Sequence, residues 1–247
     1  MTLRKGVDQM MENQCDVRLK VWGDYACFTR PEFKVERVSY PIITPSAARG
    51  VLEAIYWKPE IRYIIQEIWV LRQGTQTTII RNEISSKQDR TPVIIENDKE
   101  RQQRTSLILR DVEYLIFAKM ALRSHTKHKI ENYLPQFIER RDKGRCFHQP
   151  YLGTREFSAD FSKPDGKERC DPLLIGHTIR FGQMLLDIAF IQDDDRKEDF
   201  LYFRKPGKDG QKEVKGRKKA LFFNAILENG VMKVPQAKYN ELIQMEG

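Results

Sequence analysis

Cysteine is scarce, and its placement excludes more than its number. Cys15, Cys27, Cys146 and Cys170 stand far apart, no CxxC pair occurs, and the four histidines are dispersed. Zinc sites need clustered ligands with at least one close pair, so metal catalysis is not signalled and no cofactor is expected. The isolated cysteines read as reduced thiols of a reducing compartment. No apolar run approaches the roughly 18 residues of a membrane span. Residues 1–13 are polar and lack the apolar core of a signal peptide, so a cytoplasmic protein without membrane contact is expected. Walker, GxGxxG, GxSxG and HExxH motifs are all missing, which removes the common nucleotide, hydrolase and metalloprotease readings.

What the chain does have is charge. Lysine and arginine number 43 against 35 acids, a formal net charge of +8 over 247 residues. An anionic partner fits that balance, and nucleic acid is the commonest. Val17, Leu19 and Val21 alternate with Arg18, Lys20 and Trp22, the pattern of a half-buried strand. A long loop from Gly23 to Ile43 follows. Thr44 and Pro45 then open a helix whose Ala48, Val51, Leu52 and Ile55 share one face, with Arg49, Glu53 and Tyr56 on another. Pro59 closes it.

Strands are expected over 61–72, 76–83 and 106–122, with a charged surface loop from Ile84 to Arg104. A second helix starts near Asn132, carries Tyr133, Leu134, Phe137, Ile138 and Arg141 on one side, and ends at Gly144. Another strand is expected over Tyr151–Phe161. The turn-rich stretch from Ser162 to Asp171 is the best boundary. Short strands follow at 184–191, 200–204 and 221–227, and Asn229-Gly230 signals a hairpin into 231–234. The order predicts an α+β fold: a ferredoxin-like (RRM-like) domain over 14–163, then a small antiparallel β domain over 164–247.

RNA brings its own nucleophile, the 2′-hydroxyl, so cleaving it requires only a base, an acid and positive charge at the phosphate. A Tyr/His/Lys set suffices, and this sequence can supply one.

Several blocks also carry a resemblance. VWGDYACFTRPEFKVERVSYPIITPSAARGVLEAIYWKPEIR (Val21–Arg62) resembles the N-terminal signature of the type I-C (Dvulg subtype) CRISPR-associated crRNA-processing endoribonucleases, of the RAMP superfamily. RNEISSK, RQQRTSLILRDVEY, GRCFHQPYLGTREF, MLLDI and AILENGVMKVP match later blocks in order, out to Pro235. The resemblance implies a RAMP-type ferredoxin-like domain and a β domain behind it. It implies metal-independent cleavage of the repeat in precursor crRNA, leaving a 2′,3′-cyclic phosphate and a 5′-hydroxyl. It further implies retention on the crRNA 5′ handle, in contact with the backbone and large subunits of the interference complex. The alternative is a subunit that binds the handle without cutting.

The family's active-site tyrosine, in an IYWKP-like motif, falls on Tyr56. Its Lys-His or Lys-Tyr pair, counted back from Phe137, falls on Asn132-Tyr133, so asparagine stands where lysine is expected. Lys127-His128 lies five residues upstream and is the replacement. Tyr133 sits on the apolar side of its helix, where core packing is an equal reading. Phosphate-binding candidates are Arg30, Lys34, Arg37, Arg49, Arg140, Arg141 and Arg155; each alone reads more readily as a solvated charge, and it is together, flanking the two helices and the PYLGTREF strand, that they suggest a phosphate site. Phe28, Phe33 and Tyr40 are candidates for stacking bases or for packing the loop.

Overall fold

The computed structural model describes residues 14–33, 35–84, 101–123, 126, 128–192, 200–204 and 212–246. Its strands are β1 (Gln14–Ala26), β2 (Ile61–Arg72), β3 (Thr75–Ile84), β4 (Arg101–Leu122), β5 (Asp160–Ser162), β6 (Thr178–Gln192), β7 (Phe200–Arg204), β8 (Lys212–Glu228) and β9 (Val231–Lys233). The helices are α1 (Pro45–Ile55), α2 (Leu134–Asp142) and α3 (Gln236–Glu246), with short 3-10 turns at Ile130–Asn132 and Pro172–Leu174.

All nine strands join one sheet, in the order β5-β1-β4-β2-β9-β8-β6, with β3 added on β4 and β7 on β8. The pairings are antiparallel. The fold is therefore a mixed α/β one with a large antiparallel sheet and few helices. The alternation in β1 puts Val17, Leu19 and Val21 in the core. The opposite face carries Arg18, Lys20 and Trp22, as the period of two requires. The Asn229-Gly230 turn delivers β9 to β2, where Met232 opposes Ile68. Through β9 the later strands extend the earlier sheet, and one apolar cluster runs from Val17 to Leu242.

Several expectations need correction. The predicted strand over Tyr151–Phe161 is a loop closed by a single bridge, Tyr151 to Ser158, with β5 beginning only at Asp160. Gly153 explains it: φ is +89°, and a Cβ there would lie 2.0 Å from the Cys27 carbonyl oxygen. The backbone must turn at that point to let Leu152 accept from Cys27 N–H at 2.9 Å. β6 and β8 are longer than their apolar centres indicate. α3, whose apolar face shows only Tyr239 and Leu242, has no counterpart among the expected elements. Much of the long loop expected from Ile84 to Arg104 lies outside the described residues, although Arg101–Arg104 belong to β4.

Candidate active site

The site is built at the C-terminal end of α1. Thr44 caps the helix start, its Oγ1 accepting from Ala47 N–H at 3.2 Å, and Pro45 follows in the first turn. The helix stops at Ile55. Tyr56 is its C-cap, in extended backbone (φ −148°, ψ 118°), its N–H donating to Leu52 O at 3.1 Å. That break in the helix alters where the side chain goes. The helical wheel places Tyr56 on the polar face beside Arg49 and Glu53. The extended backbone instead turns the ring inward, and Tyr56 is 1% exposed.

Two groups hold it there. The Tyr63 hydroxyl donates to Tyr56 O at 2.7 Å. Arg140 Nη1 donates to Ile55 O at 3.0 Å, satisfying one carbonyl that the helix end leaves open. The same guanidinium lies 5.3 Å from the centre of the Tyr56 ring. Tyr56 Oη itself is buried and finds no hydrogen-bond partner. Buried hydroxyls are normally paired, and leaving one unpaired costs about 1–3 kcal/mol. The Tyr114 and Tyr239 hydroxyls are buried and unpaired in the same way, so what distinguishes Tyr56 is the Arg140 guanidinium over its ring. Burial pushes the Tyr56 phenol above its usual value, Tyr133 adds to this, Arg140 pulls it back, and Glu60 raises it again. At neutral pH the group is a neutral phenol, a hydrogen-bond donor rather than a strong base.

Tyr133 is 6% exposed and packs in the core, between the 3-10 turn and the first turn of α2, as its apolar position allowed. Its ring meets His128 edge-on, with centroids 6.4 Å apart. Tyr133 thus adjoins His128 and acts electrostatically on Tyr56, whose ring lies under Arg140. Lys127 lies outside the described residues, as does Lys34. Among the described residues, no group of three or more His, Cys, Asp or Glu side chains is placed to hold a metal.

The arginines divide. Arg140 lies over the Tyr56 ring. Its neighbour Arg141 pairs with Asp142 at 2.7 Å and donates to Arg18 O at 3.2 Å, on the open side of the sheet. Arg49 is internal: its guanidinium is clamped at 2.7 Å by both Asp187 and Glu53 and is held firmly protonated. An arginine so neutralised has no charge left for a phosphate, which removes it from the candidate set. Arg30 lies 4.7 Å above the Tyr40 ring. Arg37 is 3.7 Å from Glu156, which Arg81 shares at 3.4 Å, and Arg155 is exposed nearby in sequence. Of the stacking candidates, Phe28 and Tyr40 are core residues, 2% and 1% exposed, and only Phe33 is open at 47%.

Sequence reasoning missed Asp187, Glu60 and Arg81. A signal for Asp187 existed: a single acid inside the apolar run Met184–Ile188 needs a buried cation.

Comparison with known proteins identifies the family and the fold. The family described as CRISPR-associated protein (Cas5), in its Cas5d form, matches residues 16–235. A protein of Thermus thermophilus named CRISPR pre-crRNA endoribonuclease Cas5d is 50% identical over 230 residues, covering 93% of this chain and 96% of its own. A protein of the same name from Mannheimia succiniciproducens is 38% identical over 235 residues, covering 89% and 94%. Two solved structures share the fold at 21% identity. A CRISPR-associated protein has a TM-score of 0.59 over 90% of this chain and 93% of its own. A functionally uncharacterized protein from Streptococcus mutans has 0.60 over 91% and 95%. With its blocks matched from residue 16 to residue 235, the chain belongs to the Cas5d family of CRISPR-associated proteins.

Proposed function

We propose that this protein is a metal-independent endoribonuclease that cuts the CRISPR repeat in precursor crRNA and then stays on the 5′ handle. The observation that carries the reading is the buried, unpartnered Tyr56 hydroxyl under Arg140. The two curated relatives, each named a pre-crRNA endoribonuclease, support it.

In the reaction the RNA 2′-oxygen bonds to the adjacent phosphorus and the bond to the 5′-oxygen breaks. One proton leaves the 2′-hydroxyl and one arrives at the departing 5′-oxygen. The products are a 2′,3′-cyclic phosphate and a 5′-hydroxyl. Tyr56, a neutral phenol, orients the attacking hydroxyl or donates to a phosphate oxygen. Arg140 contributes positive charge at the same point. Histidine exchanges protons near neutrality, so His128 is assigned the acid–base role, with Lys127 supplying a second cation and Tyr133 a lesser contact. Arg30, Lys34, Arg37, Arg141 and Arg155 are assigned to the RNA backbone further from the cut.

The wider reading follows the family. Residues 14–163 form the ferredoxin-like RAMP part and 164–247 a β-rich part completing the same sheet. The protein acts in the cytoplasm, docked on the crRNA handle against the backbone and large subunits of the type I-C complex. One observation favours a second reading, a handle-binding subunit without activity: Asn132 stands where the family carries lysine. Incubation of the protein with its repeat RNA in EDTA separates the two. A single cut ending in a cyclic phosphate supports the nuclease, and uncut but bound RNA supports the structural subunit.

A further inference from the structure

β5 ends beside β1, with Ser162 opposite Lys20. Nine residues later Asp171 N–H donates to Val70 O at 2.9 Å, and Asp171 Oδ2 accepts from Gln73 N–H at 3.1 Å. Between these anchors the 163–170 segment crosses from the outer edge of the sheet to β2, spanning β1 and β4. It crosses the face opposite the helices, the one that bears Arg18, Phe117 and Trp69. Beneath it lies a cleft of about 670 Å³. Ligand sites in general run from about 300 to 1,000 Å³, so a nucleotide fits.

The lining is of two kinds. The floor is aromatic: the Trp69 and Phe117 rings lie with centroids 5.1 Å apart. The walls are cationic: the Arg18 guanidinium sits 5.2 Å over the Phe117 ring, with Arg141 beside it and Lys163 and Arg169 on the strap. Three acids also line the cleft, Asp16, Asp165 and Glu168. Two of them are occupied in shaping the strap. Glu168 accepts from Asp165 N–H at 2.7 Å and Gly166 N–H at 2.9 Å, and Asp165 accepts from Lys167 N–H at 2.8 Å. Those bonds fix the two carboxylates on the strap without removing their charge, and Arg141 is itself paired with Asp142 at 2.7 Å, so a phosphate at Arg141 takes the place of the Asp142 carboxylate. Flat aromatic floors with guanidinium walls suit a stacked base and its phosphate.

Position adds a second argument. Arg140 and Arg141 are neighbours in the last turn of α2 and diverge. Arg140 lies against Tyr56, and Arg141 reaches Arg18 and the cleft. A strand of RNA passing over this turn meets both sites.

We propose that the cleft under the 163–170 strap binds a nucleotide of single-stranded RNA flanking the cut. Its base lies against Trp69 and Phe117, and its phosphate lies between Arg18 and Arg141. The proposal rests on the reading of this chain as an RNA-binding protein but not on its cutting RNA.

The chain has three tryptophans, Trp22, Trp57 and Trp69. A Trp22→Phe/Trp57→Phe variant leaves Trp69 as the sole emitter. It is titrated with uncleavable 2′-O-methyl repeat RNA while fluorescence anisotropy of the labelled RNA follows binding independently. Saturable quenching of Trp69 that tracks the anisotropy is expected. In the wild-type background Arg18→Ala should weaken RNA affinity about fivefold or more. Arg18 is exposed, so this change does not threaten folding. RNA that binds without altering Trp69 emission overturns the proposal and leaves the cleft to another occupant, such as a protein segment. So does full affinity in Arg18→Ala. Quenching by the 2′-O-methyl RNA together with no cut in unmodified repeat RNA keeps this inference and rejects the nuclease; absence of RNA binding rejects both.

Discussion

At the scale of single residues, the unpartnered hydroxyl of Tyr56 makes a thermodynamic claim as well as a catalytic one. Tyr56→Phe removes a buried polar atom that bonds to nothing in the protein. Its thermal midpoint should equal or exceed that of the wild type, by up to about 1 kcal/mol in stability. A clear loss in a melting curve would mean that the hydroxyl has an internal partner. The other buried tyrosines act together on pH. Burial pushes the phenols of Tyr63, Tyr114 and Tyr239 above the ordinary value of 10.0. Above that pH the unfolded chain loses protons that the folded chain retains. The stabilisation from these groups is complete below pH 10 and declines as pH rises past it. Urea midpoints measured at pH 8 and pH 10.5 should show the later sample weaker. In the acid–base role, His128→Ala should slow cleavage more than Tyr133→Phe; the reverse order in single-turnover assays would reassign the proton transfer.

At the scale of elements, α1 is tied to β6 by an ion network. Arg49 on α1 spans Glu53 and Asp187, and Arg62 on β2 pairs with Glu246 of α3, which Arg123 approaches at 3.7 Å. Asp187 is 3% exposed, so removing it leaves Arg49 with one partner in a mostly buried position. Asp187→Ala should cost about 3 kcal/mol or more in urea denaturation. The paired change Arg49→Met/Asp187→Leu should recover much of that. An Asp187→Ala variant as stable as wild type would show that the network is ornamental.

The same elements show what the sequence could and could not reveal. α1 was legible because Thr44, Pro45 and four apolar residues at helical spacing agree. β1 was legible from its alternation. The loop at 151–159 was not, because its apolar residues mimic a strand while Gly153 alone enforces the turn. Arg49 was misread because its partner lies 138 residues away in β6, a separation that no local pattern encodes. Tyr56 was found by resemblance, whereas its burial depended on the helix ending one residue before it.

At the scale of the whole molecule, the excess of positive charge and the divided arginines predict an electrostatic association. Repeat-RNA affinity should fall steeply between low and moderate salt as phosphate contacts release counterions. A flat salt profile would contradict a phosphate-led interface. The central claim, that Tyr56 serves a cutting site on bound RNA, is tested most directly by single-turnover cleavage of repeat RNA in EDTA, wild type against Tyr56→Phe, with affinity measured alongside. The account predicts a cyclic-phosphate product from the wild type and a rate lower by roughly a hundredfold or more in the variant, at nearly unchanged affinity. Equal rates in the two proteins would contradict it.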